Sequence, residues 1–221
     1  MEAASHLICY HWGMVKLIET TSSLERDDKG RTEAFYAVQK DASGVLVAQC
    51  LDEGVDPNKV DERGDTALHW ATWNKKPFCA QVLLSRGADP NLQNYKGHTP
   101  LHHVVNRTDD EQDMLQLLTD FFQAHANARL SDKLGKTVYH HIAERSGSLG
   151  FEKTSQLASK VTEVCGPDGW FDEDIRGQTP LSLAENNGDG RLSGFIAALQ
   201  GVLLERSTPQ ASSKNSKVRR I

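Results

Sequence analysis

No stretch of this sequence approaches the roughly eighteen unbroken apolar residues of a membrane-spanning helix, so contact with a membrane is not expected. The N-terminal region lacks a charged segment followed by an apolar run and a cleavage site, which argues against a secretory leader. Cysteine is scarce: Cys9, Cys50, Cys79 and Cys165 lie far apart and form no C-x-x-C pair. That spacing argues against a disulfide framework. A reducing compartment, cytoplasmic or nuclear or both, is the expected setting. The thiols are expected to pack as small apolar groups; Cys165, beside Gly166-Pro167-Asp168-Gly169, is the candidate for an exposed, reactive alternative. Aromatic residues make up 7% and hydrophobic residues 38% of the 221, which suits a thin, elongated core.

Catalytic patterns are missing as well. His141-Ile142-Ala143-Glu144 lacks the second histidine of a zinc-protease helix. Gly188-Asp189-Gly190 has neither the lysine nor the preceding strand of a phosphate-binding loop. No nucleophile stands beside a base, so no enzyme and no cofactor is expected. Net positive charge is confined to the end of the sequence: residues 205–221 carry Arg206, Lys214, Lys217, Arg219 and Arg220 against Glu205, while the chain as a whole has a net charge of -5. An acidic body repels a phosphate backbone, so direct nucleic-acid binding through the folded part is not expected and a basic protein partner suits it better.

What is present is repetition. Asp61-Glu62-Arg63-Gly64-Asp65-Thr66-Ala67-Leu68-His69 recurs 33 residues later around Gly97, Thr99 and His102. The frame returns at Gly135, Thr137 and His140 after 38 residues, and at Gly177, Thr179 and Ser182 after 42. Gly87-Ala88-Asp89-Pro90-Asn91 likewise repeats Gly54-Val55-Asp56-Pro57-Asn58 at an interval of 33. Each residue type has a mechanical task. The glycines serve a hairpin tip that needs positive φ, the threonines cap a first helix, and Pro100 and Pro180 occupy the first helical position, where a missing N–H costs little. Gly87 ends the second helix.

The pattern resembles the ankyrin repeat across residues 28–204, which implies an all-α solenoid of about four or five stacked helix pairs joined by β-hairpin loops. Short helix pairs cannot bury their own apolar faces, so neighbours must share a core, with Leu68, Ala71, Val82, Leu83 and Leu84 at its best-formed point. The first repeat, Asp27 to Val38, is degenerate. Residues 1–26 are expected to form a cap helix or partial repeat, with Leu7, Ile8, Val15, Leu17 and Ile18 apolar. Residues 27–204 form the repeat domain, closed by Leu192, Phe195, Ile196, Leu199 and Leu203, and 205–221 a disordered basic tail that includes the import-like run Lys214–Arg220. Insertions around 107–112 and within 146–171 are candidate recognition loops.

The run Thr66–Ala71, an extended third repeat and Gly135–Ala143 followed by a long insertion resemble the ankyrin block of fungal cell-cycle transcription factors of the start-box and MluI-box binding complexes. There the block sits within a longer chain, between a DNA-binding domain or its relic and a dimerising segment that these 221 residues do not include. A second resemblance is to the I-kappa-B class, whose compact acidic stacks sequester transcription-factor dimers. Both imply a non-catalytic protein-interaction module, an adaptor or inhibitor, whose expected partner is a transcription factor or another basic protein.

In the ankyrin arrangement, hairpin tips and first helices form one concave groove. The resemblance therefore places partner contacts on the tips Glu62, Arg63 and Asp65; Tyr95, Lys96 and His98; Lys133, Leu134 and Lys136; and Ile175, Arg176 and Gln178. Trp73, Asn74, Asn106, Arg107, Glu144 and Arg145 join them from the helices, and Trp73 and Tyr95 are the expected anchors. Acidic runs at Asp109–Glu111 and Asp172–Asp174 read as solvated loop charge. His69, His102 and His140 fill the repeat's structural histidine slot. Only His103 and His141 are left as a remote metal-binding alternative, and no metal is expected.

Overall fold

The computed structural model describes residues 26–107 and 111–207; the expected N-terminal cap, the Asp109-Asp110 run and the tail beyond 207 lie outside them. The described residues form five helix pairs: α1 (Glu33–Lys40) with α2 (Val45–Asp52), α3 (Ala67–Trp73) with α4 (Pro77–Ser85), α5 (Pro100–Arg107) with α6 (Glu111–Gln123), α7 (Val138–Leu149) with α8 (Phe151–Cys165), and α9 (Pro180–Asn186) with α10 (Gly190–Ser207). First helices pack on first helices and second on second along the stack. The fold is an all-α ankyrin solenoid. Among the described residues, the only β pairing is an isolated bridge between Val60 and Thr66.

The capping histidines explain how the layers lock. In α3 the Thr66 hydroxyl accepts from the His69 amide, while His69 Nδ1 accepts from the Thr66 N–H at 3.1 Å. His69 Nε2 lies 3.0 Å from the carbonyl of His98, in the next repeat. His102 and His140 repeat the arrangement, reaching the carbonyls of Lys136 and Gln178 at 3.3 and 3.1 Å. An Nδ1 that accepts and an Nε2 that donates define one neutral tautomer, so each buried imidazole is both a helix cap and a rivet between layers.

The two ends depart from this rule for the same reason. Phe35 replaces the histidine in the first repeat, and the Thr32 hydroxyl is left buried without a hydrogen-bond partner. Ser182 replaces it in the fifth, where it caps through Thr179 but reaches no further layer. On the opposite edge, Asn58 and Asn91 tie successive exit loops together: Asn58 Oδ1 accepts from the Asp89 amide at 2.7 Å and Asn91 Oδ1 from the Asn127 amide at 2.7 Å.

Leu68, Ala71 and Leu83 are fully buried, and Val82 and Leu84 flank them half-buried. The long fourth interval is not a loop. It lengthens α7 to 12 residues and α8 to 15, against 7 and 9 in α3 and α4, and adds a 3-10 turn at Asp168–Phe171. That turn drives Trp170 into the core, edge-on to Tyr139 at 5.0 Å, with its Nε1–H donating to Thr162 Oγ1 at 2.7 Å. The insertion, a candidate recognition element in the sequence, builds core through Trp170. Leu192 and Ile196 of α10 are buried and Phe195 and Leu199 half-buried. The side chain of Leu203 lies outside the described residues, as does that of Arg107.

Candidate partner-binding surface

Each hairpin tip is built on one acceptor side chain. Asp61 Oδ1 accepts from the amides of Arg63 and Asp65, Asn94 Oδ1 from those of Lys96 and His98, Asp132 Oδ1 from those of Leu134 and Lys136, and Asp174 Oδ1 from those of Arg176 and Gln178, all between 2.8 and 3.1 Å. Such turns hold the tip without help from a strand partner. The tips are then strung together by one backbone bond per step. Glu62 N–H donates to Lys29, Tyr95 to Arg63, Lys133 to Lys96, and Ile175 to Leu134, at 2.8 to 3.1 Å.

Close approach between tips demands glycine. A Cβ on Gly97 would stand 2.8 Å from the Asp132 Cα, at a φ of +81. At Gly64 the Tyr95 ring itself occupies the space, 2.8 Å from an added Cβ. Tyr95 is thus laid along the neighbouring tip by backbone geometry and remains 63% exposed.

The surface so assembled is both apolar and cationic. Trp73, Tyr95, Leu134 and Ile175 are exposed. Lys29, Arg63, Lys96 and Arg176 occupy equivalent positions on four of the five tips, Leu134 takes that position on the remaining one, and Lys133 stands beside it. Glu62 and Asn74 are also exposed. Other expected contact residues are engaged within the fold. Asp65 accepts from Asn94 Nδ2 at 2.7 Å, Lys136 pairs with Glu144, and Arg145 turns inward to donate to the Val105 carbonyl. Gln178 is half-buried, its carbonyl facing His140.

His98 also points inward, toward Asp132 and His141. Its Nε2 lies 3.5 Å from Asp132 Oδ2, and His141 Nε2 lies 3.7 Å from the same oxygen. Burial pushes the Asp132 carboxyl up, but facing His141 and accepting the amides of Lys136 and Leu134 outweigh that and hold it well below the usual range. Burial, reinforced by His141, lowers His98 and brings His102 down to about 3. The remote pairing of His103 with His141 is replaced by a different grouping: His103 stacks edge-on against Trp73 at 5.1 Å, while His141 joins His98 and Asp132. Asp132 escaped the sequence reading because it is also the tip residue of its repeat, and only one of its two oxygens is used there.

The described thiols, Cys50, Cys79 and Cys165, are free and half-buried or buried. Burial raises Cys50 to about 11 and raises Cys79 and Cys165, the last half-buried rather than exposed. Among the described residues, no helix is long and apolar enough to cross a membrane.

Stacked helix pairs with a backbone-linked row of tips define a helical-repeat scaffold that presents side chains to another macromolecule. The family model of ankyrin repeats (3 copies) matches residues 2–94, and helix pairs three to five continue the same ankyrin-repeat frame to Ser207. Ankyrin repeats indicate a protein–protein interaction module. No curated protein matches the sequence.

Proposed function

We propose that the row of hairpin tips, with the exposed end of α3, is the binding surface for another protein, and that the chain acts without catalysis as an adaptor or inhibitor. The observation that carries this reading is the row itself. Four large apolar side chains, Trp73, Tyr95, Leu134 and Ile175, stand exposed on consecutive repeats, interleaved with Arg63, Lys96, Lys133 and Arg176. The backbone beneath is already hydrogen-bonded, so these side chains are available for contact at little ordering cost.

The charge of the surface qualifies the partner. The chain's net charge of -5 favours a basic protein at long range, but charge beyond about 8–10 Å is screened at physiological salt. Within that distance the tips of the last three repeats present cations, which suit an extended segment carrying acidic and apolar side chains. Transcription-factor regulation, in the manner of the fungal cell-cycle or I-kappa-B stacks, is the narrower form of the proposal.

Capture from lysate with the intact chain and a Trp73→Ala, Tyr95→Ala variant tests it. The variant is expected to keep its circular dichroism and lose partner by about 2 kcal/mol or more, the cost of removing true anchors. Undiminished capture overturns the assignment, and a partner that is neither a transcription factor nor bound to one overturns its narrower form.

A further inference from the structure

We infer that His98, Asp132 and His141 form a binding site for a divalent transition metal of the zinc class, independent of the partner surface. One ligand atom from each of His98, Asp132 and His141 lies within 4.8 Å of the other two. On a tetrahedral ion with bonds of about 2.0–2.1 Å, neighbouring donors sit about 3.3 Å apart. The two nitrogen-to-oxygen separations, 3.5 and 3.7 Å, exceed that by a few tenths of an ångström, within reach of small side-chain rotations.

Hydrogen bonding alone leaves the grouping unaccounted for. His141 is 8% exposed and its Nε2 is buried with no hydrogen-bond partner, yet it faces the carboxylate; 3.7 Å is too long for a hydrogen bond. Asp132 is locked by its other oxygen, which takes the amides of Leu134 and Lys136. Its Oδ2 is therefore aimed between the two imidazoles by the tip itself. In the first two tips the equivalent oxygen is taken up by side chains of the fold, Asp27 Oδ2 by Arg31 Nε and the Tyr36 hydroxyl and Asp61 Oδ2 by Trp70 Nε1; at Asp132 the two histidines stand in that role.

The surroundings suit a ligand imidazole. His141 Nδ1 faces the Asn106 amide at 3.2 Å and Glu144 Oε2 at 3.8 Å. Amide oxygen and nitrogen are interchangeable assignments. With the Asn106 oxygen turned inward, Nδ1–H donates to it and Nε2 carries the lone pair toward the ion, the arrangement that metal-bound histidines adopt. Two imidazoles and one carboxylate select zinc, cobalt or nickel over calcium or magnesium. The His98 side chain is 23% exposed, which leaves an approach for the ion and a fourth position for water. Since His98 belongs to the third repeat and the other two ligands to the fourth, the ion would pin these layers together.

The test is titration of the metal-stripped full chain with Co2+ and, by calorimetry, Zn2+. One Co2+ is expected to bind with visible ligand-field absorption and without a near-ultraviolet thiolate band, and Zn2+ to raise the melting temperature. Asp132→Asn is the decisive variant, because Asn94 fills the equivalent tip position naturally and the turn will survive. It and His98→Gln are each expected to weaken Zn2+ by more than about tenfold, while His103→Asn leaves it unchanged. Absence of binding at 100-fold excess metal overturns the site. So does binding that Asp132→Asn and His98→Gln leave intact, or that shows the thiolate band.

Discussion

Lowering the pH should unlock the stack through its riveting histidines. Burial is the largest influence on His69, His102 and His140, and it lowers all three below the ordinary value of 6.5. The carboxylates facing them, Asp61 and Asp65 at His69, Asp132 at His102, and Asp172 and Asp174 at His140, pull the other way without prevailing. His98 and His141 oppose protonation further. A histidine lowered on folding binds its proton mainly in the unfolded chain, so its contribution is intact above about 6.5 and is lost as pH falls toward its folded value.

Between pH 7.5 and 5.5 an imidazole that protonates only on unfolding, as His102 at about 3 does, removes about 1.4 kcal/mol. His69 and His140, lowered by the same burial, add to the loss in the same direction, against a total of roughly 5–15 kcal/mol for a typical domain. The lowered carboxylates, Asp41 at about 2 among them, act in the same direction but below about pH 4. Urea unfolding followed by circular dichroism at constant ionic strength, with chelator present, measures the effect. His140→Ser copies the natural fifth repeat, keeping a cap through Ser but losing the link to Gln178, and is expected to make the fall in stability between pH 7.5 and 5.5 shallower. A stability that is level between pH 7.5 and 5.5, or a slope that His140→Ser leaves unchanged, refutes the reasoning.

Trp170→Ala should cost about 3–5 kcal/mol in urea unfolding, with amide protection lost first in α9 and α10, whereas Trp170→Phe, which forgoes only the bond to Thr162, should cost about 1 kcal/mol. Gly97→Ala should destabilise by more than the roughly 1–2 kcal/mol of a left-handed backbone, because its Cβ meets the Asp132 backbone. Gly87→Ala, at a φ of +85 with nothing within 4 Å, should show only that backbone cost. Equal melting temperatures for the two alanine variants would remove the close-approach explanation of the tips.

The repeat frame was legible because its signals are local. Gly64, Gly97, Gly135 and Gly177 all take positive φ, between +70 and +81, and a residue that must adopt such a backbone leaves its mark within one turn. The exposed positions Arg63, Trp73, Tyr95, Leu134 and Ile175 followed from that frame. Longer reach was not legible. Arg145 occupies a surface-like position in its helix, but its guanidinium meets a carbonyl 40 residues earlier. The insertion within 146–171 carries turn residues only at its edges, Gly150 between α7 and α8 and Gly166-Pro167-Asp168-Gly169 after α8, and the burial of Trp170 against Tyr139 is a long-range contact that no spacing shows. Asp132 carries a tip in sequence and a histidine pair in space, and the second role rests on an oxygen that no spacing reveals.

The measurement closest to the central claim is photo-crosslinking from single positions of the intact chain during capture. A benzophenone side chain at Lys133 or at Ile175, on adjacent tips, is expected to crosslink the captured protein, and Tyr95→Ala to abolish both products. The same probe at Phe78, exposed to 59% on α4, is expected to give none. Crosslinks from Phe78 with none from Lys133 or Ile175 would place the partner on the second helices and contradict the account.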